Sequence, residues 1–380
     1  MACANFWTSP FQVGSHHLAR EFASRGWQVA FISDPLSPFH LLGGKGGELR
    51  ERFRIYRNGG IGDLNGKLWS YVPFALATPH NKPFLRSDWV EKNWPSLSLP
   101  NVVLKAVRQG FGEVDLFYLD SVAQAFWLKY IKAGKTLFRI ADNNSGFGKT
   151  TKAARQVERE LVQKVDAVLY TAESLKKGIK ALQPRKMYHL PNGVNFAHFG
   201  GPEPPRPVEY AKLPEPIVVY VGAMEEWFNF KWLRAAAGQL KDISFVLIGS
   251  ARAAGNFAAL NNVHFLGSRP YSEIPAYLRH AQAGIIPFDM EGHGDLVNSI
   301  HPLKLYEYMA CGLPVVATAW RELGHLKSPA ILARTEAQFI AGIQKAVARP
   351  GSRNSYRDYA RQQDWSGRVD RLLKFLGALK

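Results

Sequence analysis

A lysine and a glutamate three positions apart, Lys304 and Glu307, carry the clearest chemical signal in the sequence. Residues at this spacing share one face of a helix, and the start of a helix attracts anions through its free N–H groups. A lysine there can bind a diphosphate, and a carboxylate one turn later can accept hydrogen bonds from ribose hydroxyls. For an isolated pair, a solvated ion pair on a surface helix would be the preferred interpretation.

The segments around this pair favour the binding site over the surface ion pair. Ala283–Pro287 and Val315–Ala317 are short apolar runs of the kind that form buried strands. Pro302 suits the first turn of a helix, and Gly312 suits the position just past its end. The order strand, glycine-bearing loop, helix and strand therefore predicts a diphosphate site at the helix start.

The composition predicts a globular protein of two domains with an anionic partner. A chain of 380 residues is long for one core, and 48 Lys+Arg against 31 Asp+Glu give a net charge of +17. Such an excess indicates a phosphorylated substrate, anionic lipid or nucleic acid. With two cysteines and neither a membrane-spanning run nor a signal peptide in the sequence, we expect a cytoplasmic protein.

Asp142 is the candidate catalytic residue of the N-terminal half. It follows Thr136–Ala141, a predicted strand, and the carboxyl ends of parallel strands face the crevice where ligands bind. One carboxylate facing an acceptor hydroxyl is sufficient for general-base work in an inverting sugar transfer. The alternative is that Asp142 stabilises a turn or caps the next helix, together with Asn143 and Asn144.

The stretch Leu68–Phe111 mixes tryptophans with basic side chains. Trp69, Trp89 and Trp94 lie in the same stretch as Arg86, which is typical of a surface that contacts membrane headgroups. An ordinary core segment with buried aromatic residues is an equally good interpretation. Single-stranded nucleic acid is a third partner for such a mixture, but no motif of a nucleic-acid-binding module is present, so we expect none.

The segment Ala283–Thr318 resembles the donor-binding signature of GT-B glycosyltransferases. In that family a helix near the nucleotide diphosphate carries a Lys and a Glu and ends in a turn like Ala310–Val316. Many retaining members have a second Glu where this chain has Ser299, which disfavours a retaining mechanism. The resemblance implies an α/β protein of the GT-B class, with two doubly wound (Rossmann-like) domains facing a central cleft.

The same resemblance implies the domain boundaries. Leu190–Phe199 resembles the segment that closes the N-terminal domain of GT-B enzymes, and a proline-rich linker follows. We expect an N-terminal acceptor-binding domain at 1–200, a linker at 201–216, a C-terminal nucleotide-sugar-binding domain at 217–362, and a helix at 363–380 that returns to the first domain.

Within GT-B enzymes the chain is most similar to the xanthan-type glucuronosyltransferases, which are inverting, membrane-associated enzymes of exopolysaccharide biosynthesis. The likeness rests on Ser9, Pro10, His17, the loop near Arg86, Asp142, Gly222–Met224 and Leu303–Tyr308. It implies that Asp142 is the base, that Met224 contacts the nucleotide and that Lys304 neutralises the diphosphate leaving group. Glu307, Leu303 and Phe288 stand where that family has Gln, Met and Tyr, which leaves the donor sugar open.

The sequence thus predicts a metal-independent glycosyltransferase. Its expected donor is a UDP-linked sugar, glucuronate favoured, and its expected acceptor is a polyprenyl-diphosphate-linked oligosaccharide at the inner face of the cell membrane, where the protein would bind anionic lipid peripherally. No cofactor is expected beyond the nucleotide-sugar co-substrate. The alternatives are a retaining GT-B hexosyltransferase, a nucleotide-sugar epimerase, or a basic membrane- or nucleic-acid-binding protein that has lost sugar transfer.

The expected site residues fall into two groups. Those assigned to the donor are Gly222, Met224, Arg269, Phe288, Ser299, His301, Leu303, Lys304 and Glu307. Those assigned to the acceptor or membrane are His17, Trp69, Arg86, Trp89 and Trp94. For the histidines at the start of the first helix, His16 and His17, local hydrogen bonding is the preferred interpretation.

Overall fold

The computed structural model describes residues 1–43, 46–79, 85, 87–143, 151–250 and 260–379. The chain divides into two compact units. The first contains Met1–Pro191 together with Val369–Lys380, and the second contains Asn192–Arg368. Each unit is built around its own α/β sheet.

The first unit contains an eight-stranded sheet among its described residues. Its strands are β1 (Ala2–Cys3), β2 (Val29–Ser33), β3 (Ile61–Asp63), β4 (Leu68–Tyr71), β5 (Glu113–Leu119), β6 (Lys132–Ile140), β7 (Ala167–Tyr170) and β8 (Met187–His189). Its helices are α1 (Gly14–Ser24), α2 (Pro38–Gly43), α3 (Gly47–Arg57), α4 (Asp88–Asn93), α5 (Val102–Arg108), α6 (Trp127–Tyr130), α7 (Lys152–Lys164) and α8 (Lys176–Ala181).

The strand order of this sheet is β3-β4-β2-β1-β5-β6-β7-β8. All neighbouring pairs are parallel except β3 with β4. The direction of strand succession reverses between β1 and β5, so a ligand crevice is expected at their carboxyl ends. Helix α7 covers the sheet with one apolar face, formed by Ala153, Val157, Leu161 and Val162.

The second unit contains a six-stranded parallel sheet among its described residues. Its strands are β9 (Ile217–Val221), β10 (Ser244–Ile248), β11 (Val263–Gly267), β12 (Ala283–Ile286), β13 (Val315–Thr318) and β14 (Ile331–Ala333). Its helices are α9 (Phe196–Phe199), α10 (Phe230–Gln239), α11 (Ile274–Arg279), α12 (Met290–Val297), α13 (Leu303–Ala310), α14 (Arg321–His325), α15 (Glu336–Ala348), α16 (Arg353–Arg361) and α17 (Trp365–Gly377), the last of which continues into the first unit.

The strand order of the second sheet is β11-β10-β9-β12-β13-β14, which is the 3-2-1-4-5-6 order of a doubly wound nucleotide-binding fold. The expected α/β class with two Rossmann-like domains is therefore confirmed. The reversal lies between β9 and β12, and ligands of such sheets bind beyond the carboxyl ends of the strands at this point.

The unit boundaries differ from the expected domain boundaries at 200/201 and 362/363. Asn192–Gly200 belongs to the second unit. The Asn192 side-chain amide donates to the His301 carbonyl at 2.8 Å, and the Val194 N–H donates to the Gln363 carbonyl at 3.0 Å. The expected linker is packed as well, since Tyr210 is buried and its hydroxyl donates to the Tyr277 carbonyl at 3.1 Å.

One local expectation also differs from the structure. The glycine-bearing loop expected between Ala283–Pro287 and the helix of Lys304 contains α12. That helix forms despite its glycines because the Asp289 carboxylate accepts the N–H groups of Glu291 and Gly292, both at 3.1 Å. No helix in the described part of the chain has the length and apolar character that crossing a membrane requires.

Candidate active site

Three of the expected donor residues meet at the reversal point of the second sheet. Gly222 directly follows β9, Phe288 lies two residues after β12, and Lys304 is in the first turn of α13. The Lys304 Nζ lies 5.9 Å from the centre of the Phe288 ring and 5.6 Å from that of Tyr220. A cation is thus held over two aromatic rings at the edge where a nucleotide is expected.

Glycine is required at Gly222 and Gly249 for this packing. Gly222 has a φ of +145°, and a Cβ there would collide with the Cε of Lys304. At Gly249, where φ is +138°, a Cβ would collide with the carbonyl oxygen of Gly222. The ends of β9 and β10 therefore approach each other and the lysine more closely than any side chain would permit.

Tyr220 and Tyr308 hold the turn after β9, and sequence reasoning missed both. The Tyr220 hydroxyl donates to the Ala223 carbonyl at 2.8 Å, and the Tyr308 hydroxyl accepts the Val221 N–H at 2.7 Å. Both side chains are fully buried. A tyrosine next to the end of an apolar strand was an available signal, because a buried hydroxyl needs a hydrogen-bond partner.

Glu307 lies one turn after Lys304 and is only partly exposed. Burial of the carboxyl group raises its pKa to about 7, and the nearby charge of Lys304 opposes that shift. Near neutral pH the group therefore exists in both protonation states. The ionised form can accept hydrogen bonds from two hydroxyls, whereas the protonated form can also donate one.

Met224 and Leu303 flank this cluster. Met224 is buried, its N–H donates to the Ser250 carbonyl at 2.8 Å, and its side chain belongs to the same apolar cluster as Tyr220. Leu303 is the first residue of α13 and is partly exposed. Contact of either side chain with the nucleotide stays a prediction.

Ser299 and His301 have buried side chains in the segment before α13. The Ser299 hydroxyl donates to the Leu296 carbonyl at 2.7 Å, and His301 Nε2 lies 3.3 Å from the Tyr306 hydroxyl. At the position where many retaining relatives have a glutamate, this chain therefore has a hydroxyl bonded to its own backbone. The donor roles of both residues stay predictions.

Arg269 is held by a hydrogen-bonded network in the second unit. Its guanidinium donates to Glu209 at 2.8 Å, to the Tyr277 hydroxyl at 3.0 Å and to the Leu266 carbonyl at 2.6 Å. These contacts give the residue a visible structural role. Its expected part in binding the donor is a prediction.

Asp142 lies two residues beyond the end of β6, as expected for a group at the carboxyl edge of the first sheet. It lines a cavity of about 280 Å³, and three charged side chains of α7, Arg155, Glu158 and Arg159, line the same cavity. The carboxyl group is thus placed beside a space that a small group can enter, in a charged environment. Its role as the base stays a prediction, and Asn144 lies outside the described residues.

The two histidines of α1 are buried. His16 Nδ1 accepts the Val13 N–H at 3.1 Å, which leaves Nε2 to donate to the Phe6 carbonyl at 3.0 Å. Burial lowers the pKa of His16 to about 4, so the ring is neutral at physiological pH. Local bonding therefore accounts for His16, and contact of the buried His17 with an acceptor stays a prediction.

The stretch Leu68–Phe111, which we call the aromatic-basic stretch, contains both buried and exposed tryptophans. Trp94 is fully buried and its indole N–H donates to the Ala123 carbonyl at 2.7 Å, so the expected membrane contact is wrong for this residue. Trp69 is half-buried and stacks on Tyr71 with ring centres 5.5 Å apart. Trp89 is 60% exposed. Arg86 lies outside the described residues.

Other large apolar side chains of the first unit are exposed along with Trp89. They are Phe39, Leu76, Leu99, Leu104, Val107 and Tyr130. Leu104 and Val107 both lie on the short helix α5, which ends at Arg108. Exposed apolar side chains next to a basic one are what a peripheral membrane surface requires.

Both halves of the chain match known families. Residues 1–171 match the family described as "Glucuronosyltransferase GumK, N-terminal domain". Residues 215–349 match the family described as "Glycosyl transferases group 1". The putative teichuronic acid biosynthesis glycosyltransferase TuaH of Bacillus subtilis (strain 168) is 26% identical over 247 residues, a match that spans 60% of this chain and 61% of that protein's length.

Solved structures show the same fold over the whole chain. Sucrose-phosphate synthase from Thermosynechococcus elongatus is similar with a TM-score of 0.68 and 18% identity, covering 100% of this chain and 99% of that one. Anabaena HepE in complex with UDP-glucose is similar with a TM-score of 0.64 and 14% identity, with the same coverage of 100% and 99%. The chain therefore has the GT-B fold, and it combines a segment that matches the GumK N-terminal domain with a segment that matches the group 1 glycosyltransferases.

Proposed function

We propose that this protein transfers a sugar, with glucuronate favoured, from a UDP-linked donor to a polyprenyl-diphosphate-linked oligosaccharide in exopolysaccharide synthesis. The observation that carries the proposal is the cluster of Gly222, Phe288 and Lys304 at the carboxyl ends of β9 and β12. The match to a glucuronosyltransferase domain supports glucuronate, the HepE complex with UDP-glucose supports UDP, and the role of TuaH in teichuronic acid biosynthesis supports a polymer pathway.

In the proposed reaction Asp142 accepts the proton of the acceptor hydroxyl. The hydroxyl oxygen then forms a bond to the anomeric carbon, and the bond from that carbon to the diphosphate oxygen breaks. The electron pair leaves with UDP, and the sugar is transferred with inversion. The serine at Ser299 is consistent with this route, because that position offers no carboxylate for a retaining mechanism.

Lys304 and the start of α13 would stabilise the leaving group. The free N–H groups of a helix start and a fixed ammonium both favour the charge that develops on the diphosphate oxygen. In the ground state the rings of Tyr220 and Phe288 hold the ammonium in place. In this proposal the leaving group is neutralised by these groups without a metal ion.

A lipid-linked acceptor would bring the reaction to a membrane surface. The net charge of +17 and the exposed apolar side chains of the first unit, Trp89 and Leu104 among them, support peripheral binding to anionic lipid. We propose the inner face of the cell membrane as the location.

The test is a transfer assay with labelled UDP-glucuronate, UDP-glucose and GDP-mannose, each with a lipid-linked acceptor extract. We expect label from UDP-glucuronate to enter the organic-soluble glycolipid with inverted anomeric configuration, and EDTA to leave the rate unchanged. Retained configuration would exclude the inverting mechanism. An altered free sugar without transfer would identify an epimerase.

A further inference from the structure

A larger cavity, of about 720 Å³, lies at the other edge of the first sheet and plays no part in the proposed reaction. It is lined by Met1 and Ala2, by residues at the start of β2, and by Glu113–Tyr118 of β5. These are the amino ends of parallel strands, whereas Asp142 follows the carboxyl end of β6. Most of the lining is apolar, so the cavity requires an explanation of its own.

The cavity passes through the plane of the sheet. Adjacent residues of β2 face opposite sides, since the Phe31 ring lies 5.1 Å from His16 of α1, whereas Ile32 packs in the cluster that contains Ala106 and Trp127. Phe22 of α1 lines the cavity from the first side, and Ala106 and Trp127 line it from the second. A space that lies in the plane of a sheet, with helices on both faces, is where a further length of strand would fit.

The strand register shows where this space lies. Ala2 of β1 pairs with Ile32 on one side and Leu119 on the other. From these partners β2 continues back to Val29 and β5 back to Glu113, while Met1 is the one residue ahead of β1 in the sequence. Among the described pairings, none joins β2 to β5 over this stretch. The cavity therefore occupies the position of a longer β1, between β2 and β5, whose backbones could pair with it on both sides.

We propose that this groove is a strand-addition site, which accepts an extended apolar segment of about five residues joined to the nitrogen of Met1. Counted back from Phe117, the residue opposite the position ahead of Met1, five residues reach Glu113 at the start of β5. The hydrogen bonds between β1 and β2 already extend to Met1. The Met1 nitrogen donates to the Ala30 carbonyl at 2.6 Å, and the Met1 carbonyl accepts the Ile32 N–H at 2.9 Å.

The proposed occupant is a segment joined to this chain rather than a separate partner. A separate peptide would have to place its terminal carboxylate against the Met1 ammonium, and removing both charges from water is unfavourable. The ammonium donates to the Ala30 carbonyl from a partly buried position, and this burial lowers its pKa. A peptide bond at this nitrogen keeps the N–H donor and removes the charge. A joined segment would therefore eliminate the buried charge, whereas a separate peptide would add a second one.

The side chains of such a segment would be apolar on both faces. The residue directly ahead of Met1 would face the side of Ala106 and Trp127, as Ala2 does two positions later, and the residue before it would face Phe22. Central parallel strands, buried on both faces, have continuous apolar sequences.

The test compares three leaders of equal length fused ahead of Met1. One has alternating valine and isoleucine in its last five positions, one has alternating serine and glycine, and one is the apolar leader with a central proline. We expect the apolar leader to raise Tm over the serine-glycine leader by about 5 °C or more. Amide exchange at Val29–Phe31 and Leu116–Tyr118 should slow at least about tenfold.

The proline leader separates strand addition from general apolar cover. Proline remains apolar but cannot donate to a ladder, so it should lose most of the gain in Tm and in exchange protection. Equal stabilisation by all three leaders, or by the apolar and proline leaders alike, would overturn the proposal. Because both measurements use the free protein without sugar donor, their outcome is independent of the proposed transfer activity.

Discussion

The second unit builds its candidate site from buried strand ends, whereas the first unit presents its candidate residues at a cavity rim and on an exposed surface. Gly222 lies too close to Lys304 to admit a Cβ, and the Lys304 Nζ lies 5.9 Å from the centre of the Phe288 ring. Asp142 lines a cavity with charged residues of α7, and Trp89 is on the surface.

Under the proposed function this difference corresponds to a division of labour. A nucleotide diphosphate is the constant part of a sugar donor, and a rigid site of turns, a lysine and a helix start suits it. An acceptor with a lipid needs both a reactive group and a broad surface, which the first unit offers. If the division is right, variants in one unit should change one half of the reaction and leave the other half intact.

The largest effect is expected for Asp142→Asn. Removing the base should lower the transfer rate by about 10²–10⁴-fold, while the affinity for UDP-glucuronate in calorimetry stays unchanged. Glu158→Gln is the matched control, because its side chain lines the same cavity and it removes the same charge. Full turnover in Asp142→Asn would remove this residue from the mechanism, and a parallel loss of donor affinity would show that the two functions are not separable.

The next largest effect is expected for Lys304→Met in the second unit. Loss of the ammonium should lower the transfer rate by about 10²–10³-fold. It should also weaken donor binding by about tenfold or more, since a charge-assisted contact to the diphosphate is removed. Gly222→Ala should produce a weaker version of both effects, because the added Cβ would displace the lysine side chain.

Lys231→Met is the control for Lys304→Met. Lys231 is an exposed lysine of α10 in the same unit, and its loss changes the net charge equally. Equal effects of the two substitutions would show that Lys304 acts only through the overall charge, and the site assigned to the donor would then have to be abandoned.

The sequence predicted the second unit better than the first. The strands expected at Ala283–Pro287 and Val315–Ala317 form as β12 and β13 with limits that differ by one residue, because short apolar runs leave few alternatives. The helix expected to start near Pro302 and to carry Lys304 is present as α13. Tyr220 was missed because its partner, the carbonyl of Ala223, depends on the three-dimensional course of the turn.

The aromatic-basic stretch of the first unit shows why composition alone could not separate core from surface. Trp89 and Trp94 are five positions apart in one aromatic-basic stretch, yet the first is 60% exposed and the second 0%. The difference arises from distant residues: Trp94 packs against Phe126, with ring centres 4.9 Å apart, and bonds to the Ala123 carbonyl. A local pattern contains no information about such partners.

The pH dependence of donor affinity would test whether Glu307 contacts the nucleotide. If the ionised carboxylate binds the ribose, affinity for UDP-glucuronate should rise about tenfold between pH 6 and 8, as a group with a pKa of about 7 ionises. UDP-glucuronate is a suitable ligand because neither its diphosphate nor its carboxylate titrates in this range. In Glu307→Gln the affinity should be flat, and a rise equal to that of the unsubstituted protein would exclude Glu307 as its source.

The same group should affect the stability of the free protein. In the folded state the pKa of Glu307 is about 7, whereas its ordinary value is 4.5. The folded chain therefore holds this proton more tightly than the unfolded chain. The resulting stability is present below pH 4.5 and is lost as the pH rises through about 7. Glu307→Gln should therefore flatten this part of the curve of Tm against pH. An unchanged curve would mean that Glu307 ionises normally.

The smallest effect is expected for the surface of the first unit. Trp89→Ala combined with Leu104→Ala should lower binding to vesicles of anionic lipid by about threefold to tenfold, because two exposed apolar side chains no longer insert among the headgroups. Tm should stay unchanged, since these side chains are 60% and 55% exposed. Val208→Ala is the control, as this residue is 79% exposed but belongs to the second unit. Equal losses for the double variant and the control would show that lipid binding is not localised to the first unit, and the assignment of the membrane surface to that unit would be wrong.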